Sequence, residues 1–113
     1  MTVSAPEIEW KAPWRAIQFA IEIPGIQRQL QLEITSKHPL YGKGATVVGR
    51  RIDNDDVLVR LNDGTYASVH LVWGRSGSGP FADKYPSWFL YGSLESFVRA
   101  MQQDALEYGD DET

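Results

Sequence analysis

The feature that most constrains this chain is a series of three short apolar segments between residues 45 and 73. Each segment is rich in the β-branched and aromatic residues that favour strands: 45–52, 56–61 and 65–73. Two polar turn sequences separate them, Asp53-Asn54-Asp55 and Asn62-Asp63-Gly64. An Asp-Gly pair is a strong hairpin signal because both central positions of a type I′ turn need positive φ. The sequence therefore predicts a three-stranded antiparallel β-meander.

Turn length decides which side chains share a face of this meander. We take each turn to have two central residues, which are Asn54-Asp55 and Asp63-Gly64. This register places Arg50 opposite Val59 and His70 opposite Val57. The face that holds Arg50 and His70 then also holds Val48, Ile52, Val57, Val59, Leu61, Tyr66, Ser68 and Val72. An unpaired buried polar group costs about 1 to 3 kcal/mol, so we expect Arg50, Ser68 and His70 to hydrogen-bond one another or an Asp.

A strand and a helix are predicted before the meander. Residues 17–23 alternate between apolar and other types, which indicates a half-buried strand. Pro24 suits the first turn of a helix, and apolar residues follow it at four-residue spacing: Ile26, Leu30 and Ile34. Residues 30, 32 and 34 also alternate as in a strand, and of these two alternatives we favour the helix. It should end before His38, because the following proline disfavours helical φ and ψ there.

The remaining segments frame the meander. Residues 1–13 are predicted to form an irregular lead-in, and the aromatic residues Trp10 and Trp14 are expected to fold back on the body. The glycine- and serine-rich residues 74–80 favour a loop, and the aromatic residues 81–91 an extended segment over the core. Ser93 is a good N-cap for a helix from 94 to about 107, and the acidic residues 108–113 should fray.

Length and composition place these elements in one α+β domain. The chain has 113 residues, of which 42% are hydrophobic, and this suits a single core. It has no cysteine, no apolar run of roughly 20 residues and no basic leader, so we expect a cytoplasmic protein without a membrane span. Its net charge of −4 argues against nucleic acid as a partner. The same charge could attract the basic surface of a partner protein.

His38 and His70 are the chain's two histidines and its best candidates for proton transfer. If the protein is an enzyme, these two residues and Asp53 are the candidate catalytic residues. The alternative for His70 is a hydrogen-bonded core position, and for His38 an anchor of the Pro39 turn.

Charged residues around the first turn of the meander are candidates for binding. Asp53, Asp55 and Asp56 could pair with a basic partner, although Asx-rich turns are common. The spacing of a calcium loop is missing, since Leu58 stands where its glycine would be, and we predict neither a metal nor a cofactor site. Arg50 and Arg51 could hold a carboxylate or phosphate, or form a structural ion pair with one of the three aspartates.

Aromatic residues beside residues 74–80 complete the candidate binding set. Trp73, Tyr85 and Trp88 flank this segment, and Tyr41 lies in the turn after His38. Aromatic residues are enriched at the centre of protein interfaces. The alternative is burial in the core, and the sequence does not decide between the two.

Three stretches of the chain resemble a family of small bacterial proteins. They are HPLYG at 38–42, VVGRRIDNDDVLVRLNDG at 47–64 and ASVHLVW at 67–73. Some members of this family carry labels that relate to ADP-ribosylation and crystallin, but the chain is far shorter than a full ADP-ribosyl-hydrolase and lacks its metal-site residues. The resemblance therefore implies no established activity. It implies that nine residues act as one unit: His38, Tyr41, Arg50, Arg51, Asp53, Asp55, Asp56, His70 and Trp73.

Two functional hypotheses follow. The first is a small acidic protein-binding module, for example an inhibitor of the immunity or antitoxin kind, whose acidic turn and aromatic segment contact a partner protein. The second is a small enzyme or ligand-binding domain that uses an Arg/His/Asp cluster on an anionic ligand resembling phosphate or ADP-ribose. The absence of known catalytic motifs favours the first. A single cavity containing His38, Arg50 and His70 would favour the second.

Overall fold

The computed structural model describes residues 8–17, 22–73 and 86–109 of the protein. Within them lie five strands and two helices, in the order β1 (Trp14–Ala16), α1 (Ile23–Glu33), β2 (Thr46–Arg51), β3 (Asp56–Arg60), β4 (Tyr66–His70), β5 (Trp88–Gly92) and α2 (Leu94–Tyr108). The strands form one antiparallel sheet in sequence order, β1-β2-β3-β4-β5. The α+β class and the central meander are confirmed, and the sheet has a further strand at each edge.

The two edge strands differ from expectation in position and extent. β1 begins at Trp14, directly after the predicted lead-in of residues 1–13, and Ile17 follows its last residue. Residues 18–21, which form most of the predicted strand 17–23, lie outside the described residues; of its described residues, Ile17 and Glu22 are not in a strand and Ile23 already belongs to α1. β5 forms from the last part of the aromatic segment 81–91, which pairs with β4. The segments 74–85 and 110–113 also lie outside the described residues.

Helix α1 resolves the ambiguity of residues 26–36 in favour of the helix. Ile26 and Leu30 are buried, whereas Leu32 is 61% exposed, as a period near 3.6 requires and a period of two would forbid. Pro24 occupies the first turn, as predicted. The helix ends at Glu33, because Ile34 adopts an extended conformation with φ −87° and ψ 93°.

Helix α2 is the element that the sequence describes best. The Ser93 side chain accepts a hydrogen bond from the Ser96 backbone N–H at 3.1 Å, which caps the first turn. Phe97 and Met101, four residues apart, are fully buried against the sheet. Within the described residues no helix is both long and apolar enough to cross a lipid bilayer.

The helices bury opposite faces of the sheet. The α1 face carries a core of buried residues that comprises Ile17, Ile26, Leu30, Ile34, Leu40, Val47, Val57, Val59, Leu61, Ala67, Val69 and Leu71. The α2 face carries a smaller core of Trp14, Leu58, Tyr66, Phe97 and Met101, against which Ile8, Trp10, Val48, Tyr91, Leu94 and Val98 pack. The sheet therefore needs apolar residues on both sides.

The predicted register of the meander is wrong at both turns. The Leu61 N–H donates to the Thr65 carbonyl at 2.8 Å, so three residues form the second turn, with Gly64 at φ 88°. With this extra residue in the turn, Asp56 pairs with His70 and Val57 pairs with Val69. Each side chain of β4 therefore lies on the face of the sheet opposite to the one predicted.

Arg50 pairs with Val57 instead of Val59, which shows that the first turn is also longer than predicted. An irregularity between Val47 and Gly49 shifts the register of β2 once more. Arg50 consequently shares the α1 face with Val57. Side chains alternate along a strand, so Asp56 and Leu58 lie on the opposite, α2 face from Val57. His70 is the cross-strand partner of Asp56 and therefore lies on the α2 face too. The predicted cluster of Arg50, Ser68 and His70 on one face is therefore incorrect.

Gly49 in β2 allows the lead-in to reach the α2 face. A Cβ atom at this position would lie 2.2 Å from the Trp10 ring and 3.0 Å from the Arg15 carbonyl oxygen. The Trp10 ring contacts Phe97 edge-on, with 6.2 Å between the ring centroids. The absence of a side chain at Gly49 thus creates the space in which Trp10 packs.

Replacing Gly49 with alanine should destabilise the protein, since the new methyl group displaces the Trp10 ring. We expect the free energy of unfolding, measured in urea, to fall by about 1 to 3 kcal/mol. The matched control is Gly25→Ala in α1, where a Cβ meets no atom within 4 Å and should stabilise the helix by roughly 0.5 to 1 kcal/mol. Equal effects of Gly49→Ala in wild-type and Trp10→Ala backgrounds would contradict this explanation.

Candidate functional site

The candidate site is the end of the sheet where the turn of residues 52–55, residues 71–73 and residues 86–87 meet; we call it the turn end. The Leu71 N–H donates to the Asp55 carbonyl at 3.1 Å, and the His70 N–H donates to the Ser87 carbonyl at 2.9 Å. These bonds place the β2–β3 turn, the end of β4 and the start of β5 side by side. Most of the predicted binding residues lie at this end or border it.

Arg51 is the centre of a polar cluster on the α2 face. Its Nε and Nη2 atoms donate to the two carboxylate oxygens of Asp53 at 2.8 and 2.9 Å, and its Nη1 atom donates to Asp104 Oδ2 at 3.2 Å. Asp104 also accepts from the Trp14 indole N–H at 2.9 Å. The guanidinium lies 5.5 Å from the centre of the Trp14 ring, which adds a cation–π contact. We call these four residues the Arg51 cluster.

The guanidinium of Arg51 is shared between two carboxylates in the Arg51 cluster. The hydrogen bonds from Arg51 to Asp53 lower the pKa of the Asp53 carboxyl and raise the pKa of Arg51, outweighing the effect of burial on each. All three guanidinium nitrogens donate to carboxylates, so the cluster holds β1, β2 and α2 together. An anionic ligand would have to displace a carboxylate to reach this arginine.

His70 and Asp56 form a second polar pair on the α2 face. They are cross-strand partners, and His70 Nδ1 lies 2.6 Å from Asp56 Oδ1. The imidazole is half exposed, so the expectation that His70 is a buried core histidine is wrong. Nearby, burial raises the pKa of Tyr91, against the opposing effect of its hydrogen bond with Ser68.

Arg50 lies on the opposite face and takes no part in this cluster. It is the cross-strand partner of Arg15, and two like charges in this position repel each other. Glu22, which precedes α1, lies between them: its carboxylate accepts from Arg15 Nη1 at 2.7 Å and lies 3.5 Å from Arg50 Nη1. Arg50 therefore forms a structural ion pair, with Glu22 instead of the aspartates that the sequence offered.

His38 is a buried anchor on the α1 face. Its Nδ1 atom accepts from the Leu40 N–H at 3.1 Å, which leaves Nε2 to carry the proton and donate to the Pro86 carbonyl at 2.8 Å. These bonds tie the turn after α1 to the start of β5. Both ring nitrogens are engaged, and His38 and His70 belong to opposite faces of the sheet. The structure thus does not bring the candidate catalytic residues into one centre.

The three aspartates of the acidic turn do not act as one group. Asp53 binds Arg51 and Asp56 binds His70, while Asp55 is exposed. The side chain of Asn54 accepts from the Asp56 N–H at 2.8 Å, which makes the segment an Asx turn. Among the described residues, no three acidic or histidine side chains converge as a metal ion would require.

Trp73 and its support by Glu33 are the most unusual feature of the turn end. Trp73 is half exposed and has φ 57°, in the left-handed region that bulky residues rarely adopt. Glu33, at the end of α1, is fully buried. Its two carboxylate oxygens accept from the Val72 and Trp73 backbone N–H groups, each at 2.9 Å, and Gln29 donates to the same carboxylate at 2.6 Å.

Sequence reasoning missed Glu33, although the chain contains a signal for it. Position 33 lies seven residues after Ile26 and three after Leu30, which places it on the buried stripe of α1. A carboxylate on an apolar stripe must find hydrogen-bond donors, because an unpaired buried charge is very costly. The sequence does not reveal where those donors lie, since residues 72 and 73 are about forty positions away.

The other predicted binding residues are dispersed. Tyr41 is exposed and lines a cleft of about 230 Å³ between α1 and the turn after it, with Leu30 and Leu40 among the lining residues. Trp88 begins β5, with its ring 6.3 Å from the His38 ring. Tyr85 lies outside the described residues.

Comparison of the chain with protein-family models, with curated proteins and with solved structures finds no match. The resemblance of residues 38–73 to a small bacterial family therefore stays a prediction.

Replacing Arg51 with glutamine should raise the pKa of Asp53 towards its ordinary value, because the hydrogen bonds that lower it are lost. A lowered pKa in the folded state stabilises the protein above the unfolded pKa of about 4, and this contribution is lost as the pH falls through the folded value. The Arg51→Gln variant should lose less stability on acidification. The Asp53 pKa is measured by NMR titration of its carboxyl carbon. Arg50→Gln on the opposite face is the control and should leave that pKa unchanged.

Replacing Glu33 with glutamine should destabilise the protein, since the amide NH₂ cannot accept and leaves a buried N–H without a partner. We expect a loss of about 1 to 3 kcal/mol in the free energy of unfolding. The same substitution at the exposed Glu107 should change it by less than about 0.5 kcal/mol. Equal effects at both positions would show that the carboxylate of Glu33 does not support the backbone of residues 72 and 73.

Proposed function

We propose that this protein is a protein-binding module that presents Trp73 and the acidic turn to a basic surface of a partner protein. The observation that carries the proposal is the left-handed backbone of a half-exposed tryptophan, supported from inside by a buried carboxylate. A left-handed conformation costs roughly 1 to 2 kcal/mol for a residue with a side chain. Such strain concentrates at functional sites, where the surrounding structure maintains it.

The support from Glu33 makes Trp73 a preorganised contact residue. Because the Trp73 backbone is held by a hydrogen bond to a buried carboxylate, less conformational freedom is lost when its indole binds. Tryptophan is also among the residues that most often dominate the binding energy of an interface. An ordinary core tryptophan would need no such arrangement, and Trp73 is not in either core.

The surroundings of Trp73 fit a mixed apolar and acidic interface. Val72 and Ile52 are exposed at the turn end, beside the exposed carboxylate of Asp55. The hydrogen bond from Leu71 to the Asp55 carbonyl joins the acidic turn to the Trp73 segment. With a net charge of −4, the protein attracts a basic partner over a distance, and the apolar residues supply contact area. The role that we propose for such binding is inhibition of the partner protein, of the immunity or antitoxin kind.

The geometry favours binding over the enzymatic alternative. Arg50 and His70 lie on opposite faces of the sheet, so the pair expected to hold an anion and move its proton is separated. Arg51 is on the face of His70, but its nitrogens already donate to two carboxylates. A phosphate or ADP-ribose group would meet acidic side chains at this cluster.

Two replacements of Trp73 distinguish the effect of its backbone conformation on stability from the effect of its indole on partner binding. Trp73→Gly and Trp73→Ala both remove the indole, but glycine accepts φ 57° without strain. We therefore expect Trp73→Gly to exceed Trp73→Ala in free energy of unfolding by about 1 kcal/mol. Both variants should lose the partner that wild-type protein retains in quantitative affinity purification from its native host.

The control for this experiment is Leu106→Ala, which removes an exposed apolar side chain from α2. It should retain the same partner at wild-type level. Asp55→Asn should weaken retention, and rising salt should weaken it further because the attraction is partly electrostatic. A wild-type protein that retains no stoichiometric partner, or a Trp73→Ala variant that retains the same one, would refute the proposal.

A further inference from the structure

β5 is an edge strand with an apolar surface on both sides. It follows β4 at the margin of the sheet and has no further neighbour among the described strands. Phe89 is 60% exposed and Leu90 is 49% exposed, and Trp88 is also exposed. Edge strands of monomeric proteins usually carry charges or prolines that prevent pairing with another chain. Residues 86–93 contain no charged residue, and their one proline, Pro86, precedes the strand.

The register identifies the backbone groups of β5 that form no hydrogen bond with β4. The His70 N–H donates to the Ser87 carbonyl, so residues 70 and 87 form a hydrogen-bonded pair, and Ser68 with Phe89 is the next such pair. The N–H and C=O groups of the alternate residues, Trp88 and Leu90, therefore point away from β4. The irregularity at residues 91 and 92, where Gly92 has φ 87°, ends the flat part of the edge.

These free groups are arranged for antiparallel pairing with an identical strand. Placing Trp88 opposite Leu90 of a second copy generates two equivalent hydrogen-bonded pairs, and Phe89 then faces Phe89 of the other copy on the two-fold axis. No like charges meet in this arrangement because the strand has none. The opposite edge is less suited, since β1 has three residues and one of them is Arg15.

We propose that the occupant of this edge is a second copy of this chain, which pairs β5 with β5 and joins two sheets into one across a two-fold axis. The exposed rings of Phe89 pair across the axis on the α2 face, next to Tyr91, whose ring centre is 5.0 Å from that of Phe89. On the α1 face, Trp88 of each copy lies opposite Leu90 of the other. Residues 88–90 do not include the turn-end residues Trp73 and Asp55, so different substitutions test dimerisation and partner binding.

A pair of charge substitutions tests the proposed dimer. Sedimentation equilibrium of the full chain should show a monomer–dimer equilibrium that strengthens with salt, because two copies with net charge −4 repel each other. Leu90→Lys places two lysines in the interface and should weaken dimerisation by at least about tenfold. Leu106→Lys changes the charge equally at a position on α2 that is 69% exposed, and should not weaken it.

A unique cysteine tests the register. The natural chain has no cysteine, so Phe89→Cys introduces one thiol, which meets its symmetry mate at a non-hydrogen-bonded pair with about 4.5 Å between Cα atoms. This separation is within the range of disulfides. Mild oxidation should convert Phe89→Cys into a covalent dimer, while Leu106→Cys at equal concentration stays largely monomeric.

Three results would overturn the proposal. The first is a wild-type chain that remains monomeric at every concentration, and the second is a dimer that Leu90→Lys and Leu106→Lys affect equally. The third is a dimer in which cysteines at 89 and 106 oxidise at the same rate, which would indicate another surface. Trp73→Ala should leave the dimer intact, so failure of the dimer proposal and failure of partner binding are distinguishable. A strand of another protein at this edge is indicated if Leu90→Lys loses a partner that the monomeric wild-type chain retains.

Discussion

The structure depends on a central strand that is buried on both sides. Val57, Leu58 and Val59 of β3 are consecutive and all inaccessible to solvent, so the sheet presents apolar residues to both faces. A sheet of this kind is stable only if each face is covered, because an open apolar face remains hydrated. α1 covers one face and α2 the other, and the lead-in residues Trp10 and Trp14 fill the space beside α2. Both helices of the described residues thus serve to cover the sheet.

Polar side chains hold the margins of this three-layer arrangement together. Glu33 joins the end of α1 to the end of β4, and His38 joins the following turn to the start of β5. Arg51 and Asp104 join the sheet to α2. Each of these groups is partly or fully buried, and each has partners on another element, as the cost of burying unpaired polar groups requires. His38, one of the candidate catalytic residues of the sequence, is thus used for connection.

The surface that remains is unevenly distributed. The turn end carries Trp73 in an unfavourable backbone conformation together with exposed carboxylate, and the β5 edge carries exposed apolar residues without charge. We propose the first surface as the site for a basic partner, because negative charge and a preorganised aromatic residue lie together there. We propose the second as the site for an identical strand, because an uncharged strand meets itself without repulsion.

Local sequence determined the elements whose signals act over a few residues. The meander, α1 with Pro24 in its first turn and α2 with its Ser93 cap were predictable because strand preference, helical period and capping are short-range effects. The register was not, since a turn of three residues instead of two, and an irregularity in β2, depend on how both faces of the sheet pack. That register alone decided that Arg50 and His70 lie on opposite faces.

The site followed the same division. Asp53, Asp55, Asp56, Arg51 and Trp73 were recognisable by residue type, and the structure brings them to one end of the sheet. The pairing of Arg51 with Asp104 and the support of Trp73 by Glu33 join residues that are 53 and 40 positions apart. Periodicity and composition carry no information about contacts over such separations. The sequence by itself therefore determined which residues could act, and only the tertiary structure decided which became structural ties and which were left at the surface, because burial and partners exist only in the folded chain.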